Sequence, residues 1–391
     1  MDEGALHQGI SRRTFHKTAA AGAIGLTALG QIASGQDVPQ EKSAADAKAA
    51  APKIPPRELG KTGLKVSEIS LGAMEVTDAA VVEKAIDDGC TYIDTAAAYQ
   101  GGQNEVMVGT VMARRRKEVV LATKFSQGGL DETIASVNKS LKSLQTDVID
   151  VIQVHNVRDA GPVKNPVYKE AFDRLKAEGK VRFFGYTTHA NQVAVINACI
   201  ETGYVDTMLV GFGATDPPEV GEALKRAREA GIGIVIMKSM KGVRKFRGVT
   251  SDLTPHQMAA RWVLDQPYID TLNIGMTSFA QVDENLKASS VKLSALDRLQ
   301  LRRFAAAAAC MTCSMCGQCQ KCPQGVEPVE IMRAHMYAFS YGDVSKARRE
   351  FLAMGGPAML AACQDCGACE KNCPRGLKIR DRFREVAGLL A

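Results

Sequence analysis

Through the middle of the chain, short apolar, β-rich runs alternate with longer stretches in which apolar residues recur every three or four positions. The short runs are Glu68–Leu71, Thr91–Thr95, Val119–Lys124, Val148–His155, Val181–Tyr186, Thr207–Val210, Ile232–Met237 and Thr271–Ile274. Their length and content of Val, Ile and Thr predict buried strands. The longer stretches are Ala79–Asp88, Glu105–Met112, Asp131–Leu144, Val167–Ala177, Gln192–Glu201, Glu219–Glu229, Pro255–Leu264 and Phe279–Ala288. Their apolar stripes with charges opposite predict amphipathic helices. Eight βα units over about 230 residues predict an α/β fold, a (β/α)8 TIM barrel. An open doubly wound sheet is the competing arrangement. It usually carries a G-x-G-x-x-G turn after its first strand, and none stands here. Beyond the barrel the pattern turns helical, with His335–Phe339 and Val344–Met354 as helical segments.

Barrel chemistry sits at the C-terminal ends of the strands. Reading those ends gives Asp94 and Tyr99 after the second strand, Lys124 ending the third and His155 ending the fourth. An apolar interior would place Val or Leu there, so four titratable groups on one rim mark a candidate catalytic site.

The cysteines change the picture at the C-terminus. Nine of the eleven lie in the last 82 residues. One run reads Cys313-x2-Cys316-x2-Cys319-x2-Cys322-Pro323, with Cys310 just ahead of it, and the other reads Cys363-x2-Cys366-x2-Cys369-x3-Cys373-Pro374. The second has the spacing of bacterial ferredoxins; the first is one residue shorter before its Cys-Pro. Zinc prefers two Cys pairs separated by a longer gap. Disulfides fit poorly between neighbours three apart on a tight loop. Two [4Fe–4S] clusters need eight thiolates, which leaves Cys310 as the spare. In two-cluster ferredoxins the Cys before Pro serves the opposite cluster. That resemblance implies Cys313, Cys316, Cys319 and Cys373 on one cluster, and Cys363, Cys366, Cys369 and Cys322 on the other. Cys90 and Cys199 fall in apolar context and read as core. The tail resembles a mainly helical ferredoxin-like domain.

The N-terminus resembles a twin-arginine export signal: Ser11-Arg12-Arg13-Thr14-Phe15-His16-Lys17, an Ala/Gly-rich stretch from Thr18 to Gly30, and Ala33-Ser34-Gly35 as a small-residue cleavage site. That route carries folded proteins with cofactor already inserted, which suits an iron–sulfur protein. The resemblance implies export to the periplasm or another extracytoplasmic space, and the twin-arginine translocase as a transient partner. Residues 36–56, rich in Ala, Lys, Glu and Pro, read as a disordered linker. The expected organisation is a signal over 1–35, the linker over 36–56, the barrel over 57–303 and the iron–sulfur domain over 304–391. No stretch of about 18 apolar residues predicts a stable membrane span. The net charge of +6 is spread along the chain, with Arg114–Lys117 its densest run, so nucleic acid is not an expected partner.

With the four rim residues in place, the chain resembles the aldo-keto reductase superfamily from about Arg57 to Ala288. Arg57-Glu58-Leu59-Gly60-Lys61-Thr62-Gly63-Leu64-Lys65-Val66-Ser67 is similar to the family's opening hairpin and strand. Ile93-Asp94-Thr95-Ala96-Ala97-Ala98-Tyr99 is similar to its Asp/Tyr motif, and Thr123-Lys124 and Val154-His155 to the rest of its tetrad. A subgroup of the family also carries a ferredoxin-like tail.

The resemblance implies reversible hydride transfer between NADPH or NADH and an aldehyde, ketone or sugar carbonyl. Tyr99 would be the general acid, and Lys124 would lower its pKa. Asp94 would hold Lys124, and His155 would orient the substrate oxygen. The same resemblance places Phe212 against the nicotinamide, Thr187 and Thr188 at its carboxamide, and Leu209 where many members have Gln. The loop and helix Gly275–Asn285, with Glu284 and Asn285, would hold the adenosine end. The family's basic positions there are Gly275 and Gln281, so the choice between NADP and NAD stays open. The basic loop Lys238–Arg247 could grip the pyrophosphate, Lys238 foremost, or be merely solvated. Nicotinamide delivers an electron pair whereas a cluster takes single electrons, so the clusters are either structural or exchange electrons with a redox partner protein. An electron-transfer protein and a binding protein on a retired barrel are the competing functions.

Overall fold

The computed structural model describes residues 54–246 and 248–390. The twin-arginine segment, nearly all of the linker and Arg247 lie outside the described residues. The first two strands, β1 (Pro56–Glu58) and β2 (Lys65–Ser67), form an antiparallel hairpin. Eight parallel strands then close a barrel: β3 (Ile69–Gly72), β4 (Tyr92–Asp94), β5 (Val120–Phe125), β6 (Ile149–Val154), β7 (Val181–Thr188), β8 (Thr207–Gly211), β9 (Gly233–Met237) and β10 (Thr271–Gly275). They pair in chain order, and β10 returns to β3 with Leu272 opposite Ile69 and Gly275 opposite Gly72. The barrel expectation holds, and the predicted elements fall within a few residues of the observed ones.

The strands are almost wholly buried because both faces are covered. Outward residues such as Leu71, Ile93, Leu121, Ile152 and Phe184 pack under the helices in one large core, with Cys90 and Cys199 among them. Inward residues Tyr92, Val120, Ala122, Val151, Leu209 and Val235 fill the barrel together with Leu59, Leu64 and Val66 from the hairpin, which forms the floor. The hairpin seats closely: Gly60 has φ +54°, and a Cβ there would lie 2.3 Å from the Gly233 nitrogen. The Asp270 carboxylate locks this floor, accepting bonds from the Gly60 and Ile234 amides and from Arg228.

The helix Ala295–Ala309 crosses the expected domain boundary at residue 303. Its Leu301 packs with Phe246, Met258 and Leu293, and Phe304 stacks on Phe246, so apolar burial binds it to the barrel. The helical tail therefore starts at Cys310. Its helices Pro328–His335, Val344–Ala353 and Ile379–Leu390 share a separate core around Val329, Ile331, Phe351, Phe383 and Val386. Between the first two lies a π-helical turn, Met336–Tyr341. Among the described residues no helix is long and apolar enough to cross a membrane.

The tail docks on the barrel's C-terminal rim. Asn191 donates its amide to the Met315 carbonyl at 2.8 Å, and the Gln192 side chain reaches Ser314 O. Arg244 donates to Tyr341 O, and Arg375 donates to both Thr215 O and Thr312 O. Ion pairs from Arg158 to Glu327 and from Lys346 to Glu75 add to this contact. The resulting cover over the strand ends shapes the cavity described next.

Candidate active site

Asp94 is the last residue of β4 and Lys124 the fifth residue of β5. Both side chains are almost fully buried (2% and 1% exposed), so water does not compensate either charge. They pair with each other, Lys124 Nζ lying 2.6 Å from Asp94 Oδ2, and Nζ also donates to Thr95 O at 2.6 Å. Asp94 accepts further bonds from Gln153 at 3.3 Å and Asn273 at 3.2 Å. Burial pulls the Lys124 pKa down and pushes that of Asp94 up; the ion pair opposes both shifts.

Tyr99 opens a short 3₁₀ turn after β4. Its backbone is fixed from several sides. The Ala97 amide donates to Lys124 O, and the Tyr99 amide donates to Ala96 O. Behind the loop, buried Asn104 accepts from Thr95 Oγ1 at 2.6 Å and donates to the carbonyls of Ala73 and Val76. Lys124 Nζ lies 4.7 Å from the centre of the Tyr99 ring, and the His155 ring meets it edge-on at 5.7 Å. All four predicted catalytic residues therefore converge.

Two protonation states follow. Burial, reinforced by the Asp94 carboxylate, holds the Tyr99 phenol well above its ordinary range. The net shift is therefore upward and not, as expected from Lys124, downward: desolvation dominates. Tyr99 thus keeps its proton until a stronger base develops beside it. His155 is pushed down to about 3, by burial first and then by Lys124 and Arg333, so its imidazole is neutral and offers one N–H.

This depression has a consequence for stability. Below pH 6.5 an unfolded His155 binds a proton that the folded one refuses, so folding stability falls as pH drops from about 6.5 towards 3. Urea midpoints measured across that range should fall less steeply for His155→Gln than for the native protein; identical slopes would show that His155 is charged in the folded state.

Tyr99, His155 and Asp94 line a cavity of about 1160 Å³. It runs past Leu209, Met237, Lys238, Ser239, Met240 and Asn273 to Gly275, Thr277, Gln281, Glu284 and Asn285. The tail supplies the opposite wall through Arg333, Tyr337, Tyr341, Lys346 and Glu350. Of the predicted cofactor residues, Lys238, Glu284 and Asn285 line this cavity, while Thr187, Thr188 and Phe212 do not. The Thr187 hydroxyl accepts from the Asn156 amide, and that of Thr188 closes a turn by donating to Ala190 O. Phe212 is 3% exposed and packs on Trp262 beneath the helices, because the chain turns outward after Gly211. Met237, from the neighbouring strand, reaches the wall instead. His189 also lines the cavity. Burial, then Lys238 and Arg333, holds its imidazole neutral. Gln153, Asn273, His189 and the tail residues were not read from the sequence; amides and single histidines carry no spacing signature.

The cysteine runs meet beside the rim. Cys313, Cys316, Cys319 and Cys373 line one small cavity, with Val329, Leu377 and Ile379 as its apolar wall. The runs thus cross: Cys373 joins three thiols some sixty positions earlier. Among the described residues no three Cys, His or carboxylate groups converge as around a single ion. Cys322, Cys363 and Cys369 lie at the edge of the tail's core, and Cys366 and Cys310 are exposed.

A closed eight-stranded barrel with a buried Asp–Lys pair, a protonated tyrosine and a neutral histidine at one strand-end cavity defines an oxidoreductase class. Comparison with known proteins points the same way. Residues 68–243 match the Aldo/keto reductase family. The chain is similar to the uncharacterized oxidoreductase YqkF of Bacillus subtilis, at 26% identity over 60% of this chain and 91% of that one. It is 26% identical to L-galactose dehydrogenase of Arabidopsis thaliana, over 60% of this chain and 88% of the relative. Among solved structures, aldo-keto reductase AKR11C1 from Bacillus halodurans in its holo form superposes with a TM-score of 0.55 at 26% identity, covering 64% of this chain and 96% of that one.

Proposed function

We propose that the protein catalyses reversible hydride transfer between a nicotinamide nucleotide and an aldehyde, ketone or sugar carbonyl. The observation that carries this reading is the convergence of Asp94, Tyr99 and His155 on one cavity, with Lys124 buried behind them against Asp94 and the Tyr99 ring. The balanced reaction is carbonyl plus NAD(P)H plus a proton giving alcohol plus NAD(P)⁺. The nucleotide supplies the hydride. The protein supplies the rest: Tyr99 gives its hydroxyl proton to the carbonyl oxygen as that oxygen becomes basic. The neutral His155 donates its N–H to the same oxygen and aligns it. Lys124, held by Asp94, sets positive charge beside the tyrosine ring as its proton leaves.

The cavity suits an extended nucleotide. Beyond the tetrad it offers the amide of Asn273, whose buried Oδ1 has no partner among the described residues, and it continues to Gln281, Glu284 and Asn285. That far end carries one carboxylate and no lysine or arginine among Gly275, Thr277, Gln281, Glu284 and Asn285. A 2′-phosphate there would meet no fixed cation. NADH should therefore serve at least as well as NADPH in kcat/KM, and a clear preference for NADPH would contradict this placement of the adenosine end.

The reading includes two [4Fe–4S] clusters. Four thiols from both runs around one cavity suit a cluster with four separate iron corners, whereas a single zinc needs its ligands about 2.3 Å from one point. Cys313, Cys316, Cys319 and Cys373 would hold the first cluster. Cys322, Cys363, Cys366 and Cys369 would hold the second. The signal-like N-terminus supports export by the twin-arginine route. Steady-state assays of purified holoprotein with NADH, NADPH and a panel of aldehydes and sugars test the enzymatic reading; absence of turnover with every pair would refute it.

A further inference from the structure

The cavity wall contributed jointly by barrel and tail holds a cation that the tetrad does not use. Lys238 follows β9 with φ +56°, a left-handed conformation that a non-glycine residue adopts only at a cost, and this turns its side chain into the cavity. Among the described residues it has no carboxylate partner; its ammonium lies 4.7 Å from the centre of the Tyr337 ring and hydrogen-bonds that side chain. The neighbouring cations are all paired. Arg333 binds Glu330 and Glu350, and Lys346 binds Glu75. A single tyrosine compensates an ammonium removed from water less than a carboxylate does.

A second group points the same way. The Tyr341 hydroxyl, on the same cavity wall, is shielded from solvent and has no hydrogen-bond partner among the described residues. Tyr337 and Tyr341 both lie on the π-helical turn Met336–Tyr341, a local insertion of the kind that recurs at functional sites. Although burial opposes ionisation, Lys238, Arg333 and Lys346 hold the Tyr337 phenol below its ordinary range. The imidazoles of His155 and His189 count Arg333 among the charges that keep them neutral.

We propose that Lys238 and Tyr341 form an anion subsite, roofed by the tail, which seats the carboxylate of an acidic carbonyl substrate while its carbonyl faces Tyr99 and His155. The proposal rests on the reductase reading for its carbonyl end and on Lys238 and Tyr341 for its acidic end. It gives the tail a part in substrate choice that is independent of any electron transfer.

The test is a homologous series of aldehydes ending in a carboxylate, each paired with the uncharged analogue in which isopropyl replaces that carboxylate. The readout is the ratio of kcat/KM within each pair on one preparation, which partial misfolding or weakened nucleotide binding cannot mimic. The native protein should prefer the acidic member of at least one pair by about tenfold or more, the effect of one charge-assisted hydrogen bond. Lys238→Met should bring that ratio close to unity, Lys238→Arg should restore part of it, and Tyr341→Phe should lower it several-fold. A ratio near unity in the native protein overturns the proposal. So does a Lys238→Met variant that keeps the ratio but binds nucleotide more weakly, since the anion would then be the pyrophosphate. Should no aldehyde turn over, the reductase reading fails separately. Calorimetry with glutarate then decides: binding lost in Lys238→Met supports the subsite, and no binding to the native protein overturns it.

Discussion

Tyr99→Phe should lower carbonyl reduction by about 10²- to 10⁴-fold, the usual worth of a positioned general acid. The substitution is a clean one. Phe keeps the ring that meets His155 edge-on at 5.7 Å and carries Lys124 over its face at 4.7 Å, so packing and nucleotide affinity should change little. Only the proton donor disappears. Turnover number, nucleotide affinity and thermal midpoint measured together separate loss of the acid from loss of the fold. A loss below about tenfold would mean that another group supplies the proton, and Tyr337 on the opposite wall would be the first candidate.

Cys373→Ser should remove one of the two proposed clusters, cutting bound iron to about half of some eight atoms per chain. The crossing of the cysteine runs makes a sharper forecast. Cys373 shares a cavity with Cys313, Cys316 and Cys319, the grouping that the ferredoxin resemblance implies, although it stands in the run of Cys363, Cys366 and Cys369. A Cys319→Ala, Cys373→Ser double variant should therefore lose no more iron than either single variant. Cys369→Ala, Cys373→Ser should lose nearly all of it. Iron and sulfide analysis beside the visible absorption of each preparation reads this directly. The reverse pattern would mean that each run closes its own cluster.

The barrel was legible because its two periods differ: strands buried on both faces read as continuous apolar runs, and the helices between them as stripes. The tetrad was legible because a barrel presents its strand ends to one rim, which turns four distant positions into one list. Other features had no such signal. Phe212 stands at a strand end by sequence, yet the turn after Gly211 sends its ring beneath the helices against Trp262. Gln153 and Asn273, which bond Asp94, are amides without a motif. The largest omission was the roof. That Tyr337 and Lys346 would face Tyr99 depends on how the tail seats against loops such as Asn191–Gln192 and Glu75, contacts between positions more than a hundred residues apart. No local pattern encodes them. The expected boundary at residue 303 failed for the same reason: Leu301 and Phe304 bind their helix to the barrel through a core that only the folded chain assembles.

The cavity at Tyr99 should move a hydride between nucleotide and carbonyl. The most direct measurement uses nucleotide deuterated at its hydride-donating carbon, with the product alcohol analysed by mass spectrometry. The native protein should place a single deuterium on the former carbonyl carbon, and that product should be nearly absent with Tyr99→Phe. Alcohol formed without deuterium, or with equal yield from both proteins, would contradict it.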